Sequence, residues 1–275
     1  MRVYSFGDSF TTGLGADRKW EESQLGNHPK WDTMTDKQKN KQRSIVANFW
    51  NDSCFTKHFS DKLNTYFFNH GENGCNNLDI VKNIVSSSFK FEPNDIILVG
   101  WTSSLRDKLY FWPDNPLKWV ATDEVKLQHY RQTEKHLHMD YGKLDKLNWK
   151  NQNKLLDFWK DFSKKWLINS YNEEYYHIYN TQILYFTQEF LKHFKVKYIF
   201  FDAFDIMLKR KEPIIDMSKY WKGGKETIYS YIEHGEDLLE SKKYVPHHQK
   251  RHPSKKGHKY FTESLYKFYK EVYDD

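Results

Sequence analysis

The amino-acid sequence predicts an α/β fold: a three-layer sandwich with a mostly parallel central sheet flanked by helices, carrying large aromatic-rich insertions. Three observations predict it. Short β-like runs alternate with amphipathic helical segments, the pattern of parallel strands joined by helical crossovers. Glycine is scarce, 12 in 275 residues, yet seven of the twelve sit in four places: Gly7, Gly13 and Gly15; Gly71 and Gly74; Gly100; and Gly257. The first three places each follow a β-like run, and the carboxyl ends of strands are where open α/β sheets put ligand sites. Finally, Phe 20, Tyr 19 and Trp 10 supply a core at about 150–250 Å² per ring, although mean hydropathy is −0.90.

The first run is Arg2-Val3-Tyr4-Ser5-Phe6, ending at Gly7. Residues 16–52 are polar, contain Trp20, Trp31 and Trp50, show no period, and are expected to form a long insertion loop. Phe55, Phe59 and Leu63 at i, i+4, i+8 place a helix over 53–63. A strand at 66–68 leads into Asn69 and Gly71. Leu78, Val81, Ile84 and Val85 place a helix over 78–88, and a buried strand over 95–101 follows Pro93-Asn94. Residues 107–148 form a second irregular insertion. Two amphipathic helices are expected within 152–194. In the second, Tyr175, Ile178, Tyr179, Gln182, Ile183, Phe186, Phe190 and Phe194 form one core-facing stripe. A strand over 195–201, a loop-rich stretch over 205–250 and a closing helix over 254–272 complete the chain. No repeat or low-complexity linker divides it, so one domain over 1–275 is expected.

Composition excludes several classes. No apolar run approaches the ~18 residues that cross a bilayer, and the aromatic content is foreign to disordered chains. No signal segment opens the sequence, so a cytoplasmic location is expected, with no membrane partner. Cys54 and Cys75 make neither a disulfide framework nor a CxxC pair and are expected to be buried small hydrophobes. With 36 Lys to 7 Arg, the composition is that of an AT-rich genome.

The net charge is +6, and residues 241–260 hold seven basic side chains, four histidines and no acid. Without that window the chain carries 36 basic against 37 acidic residues. The charge therefore belongs to one loop. That fits an anionic ligand at the rim of a site, whereas nucleic-acid binders spread charge along a face, so no nucleic-acid partner is expected.

Gly7-Asp8-Ser9-Phe10 places a serine at the end of the first strand, with Asp8 expected to hold the turn. A nucleophilic serine needs a base, and His252-Pro253-Ser254-Lys255-Lys256-Gly257-His258 lies just ahead of the last helix. The GxSxG elbow is absent. Around His247, His248 and His252 there is no HExxH, no paired cysteine and no carboxylate, so neither a metal nor a cofactor is expected. Together with Asn69-His70-Gly71-Glu72-Asn73-Gly74 and Gly100-Trp101-Thr102, these blocks run in order along almost the whole chain and resemble the GDSL, or SGNH, hydrolase family. The resemblance implies an SGNH/flavodoxin-like sandwich and a serine esterase. Ser9 would be the nucleophile and His252 the base, with the backbone N–H groups of Ser9 and Gly74 as oxyanion donors. Gly74-Cys75-Asn76-Asn77 and the Trp101-Thr102-Ser103 run ending at Arg106 are similar to SGNH-like proteins of tailed phages, which implies virion association as the alternative location.

Two positions depart from the family pattern. Thr102 stands where the family has an oxyanion asparagine, with Ser103, Ser104 and Arg106 as neighbouring alternatives. Gln249 stands where the family has the aspartate that orients the histidine; Asp202 and Asp205, after the strand ending at Phe201, are the other candidates for this third member. Trp and Tyr faces suit sugar rings, so the expected substrate is a small-molecule or glycan ester, specifically an O-acetyl group on carbohydrate. Insertions 16–52 and 107–148 would wall the site. The two departures also leave a second expectation: an SGNH-fold protein that binds glycan or a virion partner without turnover.

Overall fold

The structure, a computed structural model, describes residues 1–14, 16–17, 33–72, 75–102, 106–107, 120–121, 173–208, 210–233, 239 and 252–274. The chain opens with β1 (Val3–Gly7), buried at every position, and the four-residue helix α1 (Ser9–Thr12). Helices α2 (Asp36–Ser53) and α3 (Phe55–Lys62) lead to β2 (Phe67–Gly71), and α4 (Asn77–Ser87) leads to β3 (Ile96–Trp101). Two-residue strands β4 (Arg106–Asp107) and β5 (Val120–Ala121) pair antiparallel. Then come α5 (Glu173–His193), β6 (Lys197–Asp202), the short α6 (Ile228–Ile232) and α7 (Lys255–Tyr273).

The main sheet has the order β2-β1-β3-β6 with every pairing parallel. The chain steps outward from β1 to β2, then crosses back over β1 to β3 and on to β6. Strand order thus reverses between β1 and β3, and in open α/β sheets the crevice at such a reversal lies at the carboxyl ends. Alternation along the strands divides the interior in two. Tyr4, Phe6, Ile97, Val99, Tyr198 and Phe200 face α4 and α5, meeting Ile80, Ile84, Leu184 and Leu191. Val3, Ile96, Leu98, Ile199 and Phe201 face α3 and α7, meeting Phe55, Phe59, Phe261 and Leu265. On this second face Phe55, Phe201 and Phe261 meet edge to face at centroid distances of 5.3–5.4 Å, the geometry ring quadrupoles favour. Cys54 and Cys75 are buried free thiols.

Two expectations need correction. Residues 16–52 are not one loop, because α2 occupies 36–53. Its start is a capping box in which Thr35 accepts from the Gln38 N–H and the Gln38 side chain accepts from the Thr35 N–H. The helix lacks an apolar period because it is mostly exposed, with only Val46 and Ser53 buried. The stripe on α5 holds only in part. Ile183 is buried and Tyr179, Phe190 and Phe194 pack against the core, but Tyr175, Ile178, Gln182 and Phe186 are exposed, and Tyr176, Asn180, Leu184, Thr187, Gln188 and Leu191 complete the buried face. Polar residues sit on this inner face because they are satisfied there: the Thr187 hydroxyl donates to the Ile183 carbonyl, and Gln188 bonds the backbone at Ile214 and Asp216. On α4, Leu78 and Val85 are likewise exposed, and Ile80 joins Val81 and Ile84 inside. The insertion over 107–148 (its short strands apart) and the helix expected ahead of α5 lie outside the described residues. Among the described residues no helix is long and apolar enough to cross a membrane.

Leu98 is fully buried at the centre of the sheet, opposite Ser5 on one side and Ile199 on the other. Leu98→Ala should therefore destabilise the fold by roughly 2–5 kcal/mol, the cost of lost transfer energy plus cavity, read from urea unfolding midpoints at unchanged slope.

Candidate active site

The three glycine-marked strand ends converge on α1. A Cβ on Gly7 would strike the Thr11 hydroxyl and lie 2.8 Å from the Gly100 carbonyl oxygen. One on Gly100 would lie 2.7 Å from the Phe201 ring and 3.0 Å from the Thr11 hydroxyl, and one on Gly71 would lie 2.6 Å from the Thr12 backbone nitrogen. These glycines admit the α1 backbone against β1, β2 and β3. Gly13 closes α1 in the left-handed region at φ 87°, which glycine enters without penalty.

Hydrogen bonds fix the turn at both ends. Asp8, fully buried, caps α1 by accepting from the Phe10 N–H at 3.0 Å. Its other oxygen accepts from the Thr102 hydroxyl at 2.7 Å. At the far end Asn69 Nδ2 donates to the Thr11 carbonyl at 3.0 Å, while its Oδ1 accepts from the Gly71 N–H and the Ser5 hydroxyl. Sequence reasoning placed Asn69 and Thr102 in ordered blocks but did not foresee that they brace this turn; the signal available was their position at strand ends beside glycine.

Ser9 is the first residue of α1, and its backbone N–H makes no hydrogen bond among the described residues. Its hydroxyl lies 2.7 Å from His252 Nε2. The histidine reaches it from the other end of the chain, just before α7. Pro253 bridges to Leu239, Ser254 caps α7 by accepting from the Gly257 N–H, and the Lys255 N–H donates to the Ala16 carbonyl. The His252 ring packs on Phe10 at 5.2 Å, and Phe10 in turn meets Phe204 at 4.2 Å.

The remaining expected residues divide. Thr102 is at the site but is not available as an oxyanion donor: its one hydroxyl proton goes to Asp8, and its N–H goes to Asn77 Oδ1 at 2.9 Å. Asp202 is not the third member. One of its oxygens accepts from the Tyr220 hydroxyl at 2.5 Å and the other from the Met207 N–H at 3.2 Å, with no bond to His252. Asp205 follows Phe204 on the loop after β6, half-buried. Gly74, Gln249, Ser103, Ser104, His247 and His248 lie outside the described residues. Among those described, no group of three His, Cys, Asp or Glu side chains is placed to hold a metal.

Two buried groups near the site have displaced titrations. Burial pushes the Asp202 carboxyl up to about 7, beyond what the Tyr220 hydroxyl restores. His258, fully buried on α7 and stacked on Phe55 at 6.3 Å, is pushed down to about 3 by burial, with His58 and His252 adding to it.

The fold and this pair define a class: a parallel α/β protein with a serine–histidine contact at the reversal of strand order. Two solved structures are similar to the chain. One is a member of the lipolytic protein G-D-S-L family from Veillonella parvula, at 11% identity and a TM-score of 0.33, covering 100% of this chain and 98% of that one. The other, assigned to the same family, is from Desulfitobacterium hafniense, at 11% identity and a TM-score of 0.31, covering 97% and 98%. The sequence matches no family model and no curated protein.

The Gly71 contact is with backbone, which no rotamer change relieves. Gly71→Ala should cost about 1–3 kcal/mol in thermal unfolding, and a crystal structure of the variant should show Ser9 moved away from His252. The buried imidazole makes a separate prediction. Between pH 6.5 and about 3 the unfolded chain protonates His258 and the native state does not, so its contribution to stability falls as pH falls. Asp202 acts oppositely, because its raised value contributes stability below the unfolded carboxylate range that is lost as pH rises toward 7. His258→Phe leaves Asp202 in place, so relative to the wild type the variant should gain about 2 kcal/mol between pH 6.5 and 5, at 1.36 kcal/mol per unit, read by urea unfolding at each pH.

Proposed function

We propose that the protein is a serine esterase of the SGNH type. The observation that carries this reading is the 2.7 Å contact between Ser9 Oγ and His252 Nε2, made across 243 residues of chain. In this reading Ser9 attacks the ester carbonyl while His252 takes its proton and later returns it to the leaving alcohol. The N–H groups of Ser9 and Gly74 hold the oxyanion, and water releases the acyl group. Of the three candidates for the orienting partner, Gln249, Asp202 and Asp205, the bonding of Asp202 to Tyr220 removes one. We assign the role to Asp205, which makes no hydrogen bond to His252 in this structure but whose neighbour Phe204 packs on the same Phe10 ring as His252.

The substrate we propose is an O-acetyl group on carbohydrate, in keeping with the Trp and Tyr residues of the two insertions. The first insertion contains the helix α2 (Asp36–Ser53), not only loop. The basic window over 241–260 fits an anionic portion of the same ligand. A second reading, a binding protein of this fold that lacks turnover, gains support from Thr102, whose hydroxyl is committed to Asp8.

A fluorophosphonate probe should label the wild type and leave Ser9→Ala unlabelled, and hydrolysis of an aryl acetate should follow the same pattern. Asp205→Asn should lower turnover by up to ~10⁴-fold, as expected when the imidazole loses its orienting carboxylate. Equal background signal from wild type and Ser9→Ala would establish the binding-protein reading in its place.

A further inference from the structure

We propose that the side-chain donor of the oxyanion hole is Asn76, the residue that caps α4. The inference rests on the esterase reading above. Thr102, at the position where that donor was expected, gives its hydroxyl proton to Asp8 and its N–H to Asn77. Among the described residues, three carboxamides lie along the edge where β1 and β2 end. Asn69 spends its Nδ2 on the Thr11 carbonyl. Asn77 is turned onto the Thr102 backbone from both ends, its Oδ1 accepting at 2.9 Å and its Nδ2 donating at 3.5 Å.

Asn76 differs from both. Its Oδ1 accepts from the Asp79 N–H at 2.9 Å, and its own N–H donates to Asp79 Oδ2 at 3.2 Å. This capping box fixes the plane of the carboxamide and leaves Nδ2 with no partner among the described residues, although Asn76 is only 3% exposed. Nδ2 is not among the fully buried atoms that lack a partner, so the little of Asn76 that stays open includes an uncommitted donor able to meet a bound group.

The neighbours of Asn76 connect it to the serine turn. The Cys75 thiol donates to the Gly7 carbonyl at 3.4 Å, and Asn77 is joined through Thr102 to Asp8. Gly7 and Asp8 are the two residues that precede Ser9. The N-terminus of the eleven-residue α4 lies here too, and its partial positive charge favours an anion.

In the acylation step the Ser9 Oγ–carbonyl bond forms, the serine proton passes to His252 Nε2, and the carbonyl electron pair moves onto oxygen. That oxygen is then held by the Ser9 and Gly74 N–H groups and by Asn76 Nδ2. As the ester C–O bond breaks, the proton passes from His252 to the departing alcohol oxygen.

The test separates donor from cap. Asn76→Ser keeps a good N-cap and removes the amide, so kcat for an aryl acetate should fall about 10²–10³-fold with KM and the thermal unfolding midpoint unchanged. Thr102→Val, which removes a hydroxyl bonded only to Asp8, should lose less than Asn76→Ser. Should Asn76→Ser unfold early, Asn76→Asp preserves the cap with an isostere that has no donor, and the same loss is expected. Wild-type kcat in the folded Asn76 variant, or a larger loss in Thr102→Val, overturns the proposal and leaves the esterase reading standing. A wild type without Ser9-dependent turnover overturns both.

Discussion

Between the backbone of α1 and the ends of β1, β2 and β3 there is no room for a side chain, and the site is built on that fact. Gly7, Gly71 and Gly100 each bring a bare Cα against Thr11, Thr12 or a neighbouring carbonyl. Because these contacts are backbone to backbone or to a fully buried threonine, the height of Ser9 above the sheet is set by the strands themselves. Interiors pack at crystal density and respond as a unit. The hydrogen bonds from Asp8 and Asn69 then orient a helix whose position is already constrained.

The core around this seat is made mostly of rings. Phe55, Phe201 and Phe261 interlock on one face, and Tyr4, Phe6, Tyr198 and Phe200 line the other. This accounts for a chain with low mean hydropathy and few aliphatic residues forming a packed sandwich: Tyr is scored as polar but buries most of its area, and Lys lowers the average from outside. The hydroxyls that rings bring inside find partners where the chain can offer them. Tyr220 donates to Asp202, and the Tyr273 hydroxyl both donates to the Tyr198 carbonyl and accepts from its N–H.

How much of this could be read in advance depended on whether a residue's role was local. The four strands of the main sheet stood out as short β-branched and aromatic runs, and α3 and α7 as periodic helices, because their apolar spacing reports burial directly. Helix α2 was invisible to that signal since almost none of it is buried; its capping box, Thr35 with Gln38, was the available clue. On α5 the stripe held only in part, with Ile183, Tyr179, Phe190 and Phe194 against the core, because the buried face also includes Thr187 and Gln188, whose bonds run to backbone that a sequence pattern cannot show. At the site, Ser9 and His252 came from ordered blocks, and the structure places them within hydrogen-bond distance. The commitment of Thr102 to Asp8 and of Asp202 to Tyr220 was not legible, because each depends on which strand end faces which after the sheet has formed.

The separation of Ser9 and His252 along the chain has a consequence for biogenesis. Domains form from the N-terminus as synthesis proceeds, at roughly 5–20 residues per second, so β1 and α1 emerge long before His252. A nascent chain can therefore present the serine turn, seated and capped, but without the imidazole until α7 leaves the ribosome and packs against α3. Any fragment ending before residue 252 holds the serine without its partner. The serine–histidine contact in this sense depends on segments from both halves of the sandwich, and forms only once β1 with α1 and the start of α7 are together in place.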